Sequence, residues 1–373
     1  MWPYLVTFFI SAIITKQAER SIECNEKKKF IIFSFFAILL PALLAGLRGE
    51  NVGTDTMVYG IPYFNQAVQC DSYSEFAAVI SNIRYGSIES SYLYLVYIIS
   101  RFTDNVFWLF FIINFLTTYF VYKGIYRFRE HVSMPFGMLV YYFILYNVSL
   151  NLMRQLLAAA IVFYSINFIV KKDFKKYVFC MVCAIIIHGS AVMGIFFYVL
   201  YRYLTMKEDI VISFFKQCAI IVVSLVFILL YSKIVLLLVN TGILTDRYIG
   251  YIGEEGVGFS INSIIKRAPY LILILCNFST YCKKNAYNKY LTYLMIIELF
   301  VAQLSSVSIY AYRLSIYFLF VNILTIPQIP NIFAKKSGKL IIIIAFILYL
   351  FLYWFYSFIY TGGESTYPYV FSF

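Results

Sequence analysis

Long apolar runs alternate with short basic clusters along the whole chain, and this alternation constrains the fold more than any other feature. Apolar residues make up 62% of the sequence and charged residues only 13%, which leaves too little polar surface to cover a soluble globule of this size. The pattern predicts an all-α, polytopic integral membrane protein with a single transmembrane domain over residues 1–373. The first apolar run, Trp2–Thr15, lacks a small-residue cleavage site and is expected to remain as a span.

The basic clusters orient the chain, because Lys and Arg in short loops stay on the cytoplasmic side. Those clusters are Lys16–Lys29, Lys123–Arg129, Lys171–Lys176, Lys283–Lys289 and Lys335–Lys339. External loops are therefore predicted at about 48–91 and 240–267, and the first lies between the spans Phe30–Leu47 and Asn105–Tyr122. The complete count is about eleven to twelve transmembrane helices. Because the net charge of +12 is dispersed among these clusters, it indicates topology and not a nucleic-acid partner.

The stretch Phe136–Val170 lies between two cytoplasmic clusters, so the chain must cross the membrane an even number of times within it. It holds about 35 residues, whereas two ordinary spans and a turn need roughly 40 or more. We therefore predict a pair of short helices whose tip lies below the outer surface. That tip carries Asn147, Asn151, Arg154 and Gln155.

The stretch Tyr177–Leu204 poses the same problem with about 28 residues. If it folds back, the turn falls at His188-Gly189-Ser190; if it crosses once, the total is eleven spans. Short or broken membrane helices are tolerated where their exposed backbone lines a water-filled cavity. Two such tips predict a polar cavity that opens to the outside.

Under this topology, basic side chains from six separated places in the chain converge at the outer end of the cavity. They are Arg48, Arg154, His188, Arg247, Arg267 and Arg313. A single arginine could instead extend to the lipid headgroups, and Asp246-Arg247-Tyr248 could be either a salt-bridged anchor or a substrate clamp. As a set, they indicate an anionic ligand, because the planar guanidinium donates paired hydrogen bonds to phosphate oxygens.

Four groups of residues, in this order and spacing, resemble a known family across nearly the whole chain. They are Arg48 with Val52-Gly53-Thr54-Asp55-Thr56 and Tyr59, Arg154-Gln155 with the small residues that follow, Ile187-His188-Gly189-Ser190-Ala191, and Tyr312-Arg313-Leu314-Ser315 with Tyr317-Phe318. The family is the EpsG-like branch of bacterial O-antigen and exopolysaccharide polymerases, often called Wzy. The resemblance implies a metal-independent glycosyltransferase without a cofactor. It would join oligosaccharide repeat units carried on undecaprenyl pyrophosphate, at the outer face of the inner (plasma) membrane.

This chemistry requires stabilisation of a departing anion and removal of a proton from the attacking hydroxyl. For the first task we expect Arg48, Arg154, Arg313 and Arg247 to hold the pyrophosphate. For the second, the candidates are His188, because histidine is the side chain that most often acts as a general base, and the loop carboxylate Asp55. His188 is preferred, although it could instead bridge helix ends and Asp55 could cap a turn.

Four further side chains are expected to bind the glycan: Gln155, Tyr59, Asn151 and Tyr312. The expected partners are the lipid-linked oligosaccharide, membrane lipids and, at the external loops, a chain-length regulator. A flippase for lipid-linked sugars remains an alternative, but it would need charge along the whole crossing path. A membrane O-acyltransferase also remains, but it would usually need a second functional histidine.

Two other motifs do not support a different chemistry. Cys180 and Cys183 have metal-ligand spacing, but they lie in an apolar span without nearby His or Cys partners, so no metal site is expected. Gly253, Gly256 and Gly258 resemble a glycine-rich loop, yet no strand and helix flank them as a dinucleotide site requires.

Overall fold

A computed structural model describes residues 1–83, 88–205, 210–242, 260–306 and 311–372. These residues are almost entirely helical, and the one β-type contact recorded among them is an isolated bridge between Arg48 and Phe371. The all-α prediction is therefore confirmed. The α-helices are α1 (Trp2–Glu23), α2 (Lys27–Gly46), α3 (Ile61–Gln69), α4 (Tyr73–Ile83), α5 (Ser90–Ser100), α6 (Phe107–Arg127), α7 (Met134–Tyr141), α8 (Asn147–Asn151), α9 (Met153–Val170), α10 (Phe174–Ile187), α11 (Gly194–Thr205), α12 (Ile210–Asn240), α13 (Ile261–Ile265), α14 (Ala268–Cys276), α15 (Phe278–Lys284), α16 (Asn288–Ala302), α17 (Ser315–Leu319), α18 (Asn322–Thr325) and α19 (Lys336–Trp354).

Shorter helical turns of other types join or extend these helices. The π-helical turns are Thr56–Gly60, Tyr142–Tyr146 and Phe355–Tyr360, and the 3-10 turns are Gly189–Met193, Gln303–Ser306, Ala311–Leu314, Ile326–Ile332 and Gly363–Ser365. π-Turns within helices are uncommon and often lie at functional sites. One of them joins α7 to α8, directly before the helix break described below.

Within the described residues, six helical segments are long and apolar enough to cross a membrane, which confirms a polytopic membrane protein. They are Lys27–Gly46, Phe107–Arg127, Met153–Val170, Phe214–Asn240, Ala311–Ile332 and Lys336–Tyr360. In their most apolar stretches, Ala311–Ile332 is 89% buried and Phe214–Asn240 only 11%, so the first lies inside the bundle and the second at its edge. Of the other crossings in the predicted count of eleven to twelve, the first span, Trp2–Thr15, lies within α1, and the remaining ones would use shorter helices.

The two predicted helical hairpins are present. Helices α7 and α8 run continuously through their π-turn to Asn151, and α9 begins at Met153. Leu152 between them has φ −84° and ψ 54°, which breaks the helix without a Gly or a Pro. The second hairpin joins α10 to α11, and its turn begins at His188, whose backbone is extended at φ −154° and ψ 119°.

Consecutive long helices pack side by side, with the most extensive contacts between α1 and α2, α2 and α6, α6 and α9, and α9 and α10. Helix α9 thus lies at the centre, where its small residues allow close approach. An aromatic cluster fills the space beside the first hairpin, with Phe8 stacked on Tyr142 at 5.1 Å and edge-on to Tyr146 and Trp354. This packing fixes the height of the α8–α9 tip.

The first predicted external loop is itself folded. Helices α3 and α5 pack together, and α4 contacts both. A small apolar core that includes Phe64, Phe76, Val96 and Phe110 joins this unit to α6. The described part of the loop therefore lies beside the α8–α9 tip, and Glu89, directly before α5, contacts Arg154 at that tip.

Candidate functional site

The break at Leu152 turns the α8–α9 hairpin tip into the centre of a polar site. Asn151 ends α8 and Arg154 lies in the first turn of α9, so their side chains leave the tip in different directions. Each meets a carboxylate from elsewhere in the chain: Glu364 contacts Asn151 and Glu89 contacts Arg154. We call these residues, with His188, the polar mouth.

Glu89 holds the two hairpins together. One of its oxygens forms an ion pair with Nη1 of Arg154, and the other lies 2.5 Å from Nδ1 of His188. The backbone N–H of Gly189 also donates to the Glu89 carboxylate at 3.4 Å. The α10–α11 turn is therefore fastened to the α8–α9 tip through one carboxylate, and the imidazole orientation is fixed at Nδ1.

The environment of Glu89 keeps its carboxyl group ionised. Partial burial opposes ionisation, but the hydrogen bond from His188 and the charge of Arg154 outweigh it and lower the pKa of Glu89 to about 2. The side chain is only 23% exposed, so solvent screens these interactions weakly. The site thus contains a fixed negative charge beside a histidine and an arginine.

Arg154 is held in place by aromatic rings as well as by Glu89. Its guanidinium carbon lies 5.0 Å from the ring centroid of Tyr59 and 5.1 Å from that of Tyr92, within the range of cation–π attraction. Of its N–H groups, only Nη1 donates to a group in the described part of the chain. The remaining donors of the guanidinium fork can therefore meet a ligand.

Asn151 organises the other half of the mouth. Its side-chain oxygen accepts hydrogen bonds at 2.9 Å from the Thr54 hydroxyl and from the backbone N–H of Asp55. Its amide donates to Glu364 at 2.5 Å, and the Tyr312 hydroxyl donates to the same carboxylate at 3.0 Å. One asparagine thus joins the first loop, the hairpin tip and the segment after α19.

Gly53 allows this close approach of the first loop. Its φ is +89°, and an added Cβ would lie 2.9 Å from the carbonyl oxygen of Leu150. A side chain would therefore be unfavourable both for the backbone conformation and for the contact with α8. This explains why a glycine precedes Thr54 and Asp55 in the sequence.

The tail, residues 361–372, lies across the mouth. Gly362 and Glu364 have left-handed backbone conformations, with φ of 65° and 63°, which turn the chain back after α19. The backbone N–H of Gly49 then donates to Val370 at 2.7 Å, and that of Ser372 donates to Leu47 at 3.0 Å. Burial raises the pKa of the Glu364 carboxyl, although Asn151 partly offsets this effect.

Arg48 lies beneath the tail and is only 3% exposed. Its Nη2 donates to the sulfur of Met153 at 2.9 Å, and its guanidinium stacks 4.1 Å from the Phe110 ring centroid. Burial lowers its pKa to about 10, so the group remains charged at neutral pH. Arg48 therefore contributes a positive field from below the mouth, although we predicted direct contact with a ligand.

The structure brings most of the predicted site residues to this mouth. Arg154 and His188 meet through Glu89, as described above. The Gln155 amide donates to the Arg313 carbonyl oxygen at 2.7 Å, which places Tyr312 and Arg313 beside the tip. Asp55 lies close enough to Glu364 for its negative charge to help raise the pKa of the Glu364 carboxyl. The roles assigned to these residues remain predictions, and Arg247 lies outside the described residues.

Arg267 differs from the expectation that it joins the other basic groups. Its Nε donates to Glu298 at 2.6 Å and its Nη2 to the same carboxylate at 2.5 Å. This bidentate pair is buried, with Glu298 1% exposed. The charge of Arg267 is thus neutralised within the bundle, and a structural role for this residue is favoured.

Sequence reasoning missed the two carboxylates of the mouth. Glu89 is one of several acidic residues in a polar loop, and only its position directly before the apolar helix α5 distinguishes it. Glu364 follows Gly362-Gly363 in the polar segment after the apolar run of α19. Neither residue belongs to a recognisable motif, because each acts with partners from distant parts of the chain.

The bundle and the mouth define a polytopic membrane protein with a charged polar site at the joint of two short helical hairpins. The chain belongs to the EpsG family, whose model matches residues 31–371, and the resemblance noted above is thereby confirmed. Membership indicates a polysaccharide-polymerase-like function and a glycosyltransferase-like enzyme in general terms. No curated protein and no solved structure matches the chain.

Proposed function

We propose that this protein polymerises undecaprenyl-pyrophosphate-linked oligosaccharide repeat units into a surface polysaccharide, at the outer face of the bacterial inner (plasma) membrane. The observation that carries this proposal is the Glu89 carboxylate held between His188 and Arg154. This contact supports the proposal because a histidine can accept a proton and an arginine can bind phosphate, and glycosyl transfer from a pyrophosphate requires both functions.

In this mechanism, His188 is the general base. The Glu89 carboxylate accepts a hydrogen bond from Nδ1, so Nε2 carries the lone pair that accepts the proton. A hydroxyl of the acceptor sugar attacks the anomeric carbon of the donor and gives its proton to Nε2. The new C–O bond replaces the bond to the pyrophosphate oxygen, and the pyrophosphate leaves with that electron pair.

The arginines stabilise the leaving pyrophosphate. Arg154 and Arg313 lie at the mouth and can donate to phosphate oxygens, while the buried charge of Arg48 lowers the potential energy of an anion above it. Asn151, Tyr312 and Gln155 lie at the same tip, and we assign to them the hydrogen bonds to the sugars. The pyrophosphate thus binds on the Arg154 side of the tip and the glycan on the Asn151 side.

The test uses purified protein with synthetic lipid-linked repeat units and no nucleotide or acyl donor. The polymerase forms longer glycans, whereas neither a flippase nor an O-acyltransferase does. His188→Ala should lower the polymerisation rate by roughly 100-fold or more, which is typical for loss of a general base. His131→Ala is the matched control, because His131 is exposed and lies beside Tyr287, away from the mouth.

Two results would contradict the proposal. One is a wild-type protein that leaves the lipid-linked units unchanged while remaining folded. The other is that the two single variants, His188→Ala and Arg154→Ala, both form polymer of normal length at the normal rate. That result would show that neither residue has the chemical role proposed for it. Arg154→Lys retains the charge but loses the planar fork, so an intermediate rate is expected.

A further inference from the structure

The turn that carries His188 is attached both to the first external loop and to the bundle. From the loop, Glu89 contacts Nδ1 of His188 and accepts from the backbone N–H of Gly189. The hydroxyl of Ser91, in the first turn of α5, donates to the carbonyl oxygen of Ile186 at the end of α10. From the bundle, the turn is held by a hydroxyl group of α17.

That hydroxyl belongs to Tyr317, which is completely buried and lies in Ala311–Ile332, the most buried of the six long apolar segments. Its oxygen lies 2.8 Å from the hydroxyl oxygen of Ser190, two residues after His188. A buried hydroxyl without a hydrogen bond is costly, so this contact is favourable for α17 as well as for the turn. It holds the turn from an element other than the loop that supplies Glu89.

The same part of the chain also contacts the hairpin that carries Arg154. Arg313 lies four residues before Tyr317, and its carbonyl oxygen accepts from the Gln155 amide at 2.7 Å. Four residues of helix rise by roughly 6 to 8 Å, depending on whether the turn is α-helical or 3-10. This stretch therefore connects the two hairpin tips across a short length of helix.

We propose that Tyr317 is a positioning residue. Through Ser190 it holds the α10–α11 turn so that Nδ1 of His188 meets Glu89 and Nε2 stays available for the proton of the acceptor. This inference rests on the proposed function for the identity of the reaction. The state of the imidazole is a property of the folded protein, so it can be measured whether or not the protein forms polymer.

Tyr317→Phe removes the hydroxyl and keeps the ring. The fold should tolerate this change, because the rings of Phe197 and Phe318 pack with centroids 5.0 Å apart and keep α11 on α17. Tyr122→Phe is the matched control: the buried Tyr122 hydroxyl lies 2.7 Å from that of Ser34 and joins α6 to α2. Ser34 lies roughly 20 Å from the end of α2 nearest the polar mouth, at about 1.5 Å per residue.

The first measurement reports the imidazole directly. The chain contains two histidines, so the nitrogen NMR signals of isotope-labelled histidine in the full-length protein in nanodiscs can be assigned with His188→Ala. At a pH where the imidazole is neutral, the wild-type protein should mainly hold the proton on Nδ1. Tyr317→Phe and Ser190→Ala should shift the tautomer ratio toward Nε2 by roughly two- to tenfold, as expected for one neutral hydrogen bond. Tyr122→Phe should leave the ratio unchanged.

The second measurement is the polymerisation rate. Tyr317→Phe and Ser190→Ala should each lower kcat by roughly two- to tenfold and change KM little, since neither residue is assigned to substrate binding. The double variant should be no slower than the slower single variant, because both changes remove the same contact. Ser190→Thr keeps the hydroxyl and should retain most of the activity.

The proposal is overturned if folded Tyr317→Phe keeps the wild-type tautomer ratio, or if Tyr122→Phe shifts that ratio as much. Ser190→Ala decides the same question if Tyr317→Phe is poorly folded. Multiplicative loss of kcat in the double variant would also overturn it, since the two hydroxyls would then act separately. If the tautomer ratio shifts but the wild-type protein forms no polymer, the proposed function fails and the positioning role of Tyr317 stands.

Discussion

Replacing Glu89 with glutamine is the most informative single change, because it keeps the shape of the side chain and removes its charge. The pKa of Glu89 falls from 4.5 to about 2 in the folded protein. At about 1.4 kcal/mol for each tenfold change in the dissociation constant, this corresponds to about 3 kcal/mol of net stabilisation of the carboxylate by His188 and Arg154. If that stabilisation persists in the transition state, Glu89→Gln lowers kcat by on the order of 100-fold.

The assay is polymerisation of synthetic lipid-linked repeat units, with kcat and KM measured separately. We expect the loss mainly in kcat, because Glu89 acts on His188 and does not bind the substrate directly. Glu50→Gln is the control: Glu50 is exposed in the same loop and should tolerate the change. Normal kcat in folded Glu89→Gln would refute the role of this carboxylate.

The pH dependence of stability gives an independent readout. Because the folded-state pKa of Glu89 is depressed, its contribution is fully present above about pH 4.5 and is lost as the pH falls towards 2. The difference in melting temperature between wild type and Glu89→Gln should therefore be constant near neutral pH and shrink below about pH 4.5. A difference that grows on acidification would contradict this assignment.

Two further predictions separate loop geometry from bundle stability. Gly53→Ala should lower the activity and reduce the free energy of unfolding by about 1–3 kcal/mol, since the position has positive φ and its Cβ would contact the Leu150 carbonyl oxygen. Thermal melting measures the loss of stability, and the polymerisation rate measures the loss of activity. A variant unchanged in both would show that the loop can move away from α8. Arg267→Met should destabilise the protein by about 3–5 kcal/mol, because Glu298 would be left buried without its partner. The melting temperature and the yield of protein in the membrane should fall. Adding Glu298→Gln to the Arg267→Met variant should restore part of the lost stability. If it does not, the ion-pair explanation is contradicted.

The helical architecture and both hairpin tips could be predicted from the sequence, because the distance between basic clusters limits how many residues are available for crossing. The small number of residues between the basic clusters predicts both the turn at His188 and the tip near Asn151 and Arg154. The break itself falls at Leu152, which carries no sequence signal because neither glycine nor proline is present. Its position depends on packing around the finished hairpin.

The partners of the charged groups could not be predicted, because they come from elements far apart in the sequence. Arg154 was expected to meet a ligand, but its first partner is Glu89, which is 65 positions earlier in the chain. Arg267 was expected at the same site, but Glu298 neutralises it inside the bundle. The positions of the arginines in the sequence indicate a polar region. Only the fold shows which of these arginines are already paired with a carboxylate.

The tail also has a consequence for the order in which the protein assembles. The hydroxyl of Tyr4 donates to the backbone of Thr366, a contact across 362 positions, and Glu364 joins Asn151 only once α19 is in the bilayer. During synthesis, Arg48 and the hairpin tip therefore stay uncovered until α19 is inserted. Insertion factors that shield such nascent polar surface would favour a high yield, and a slowly inserting α19 would leave the preceding helices packed around an unformed site.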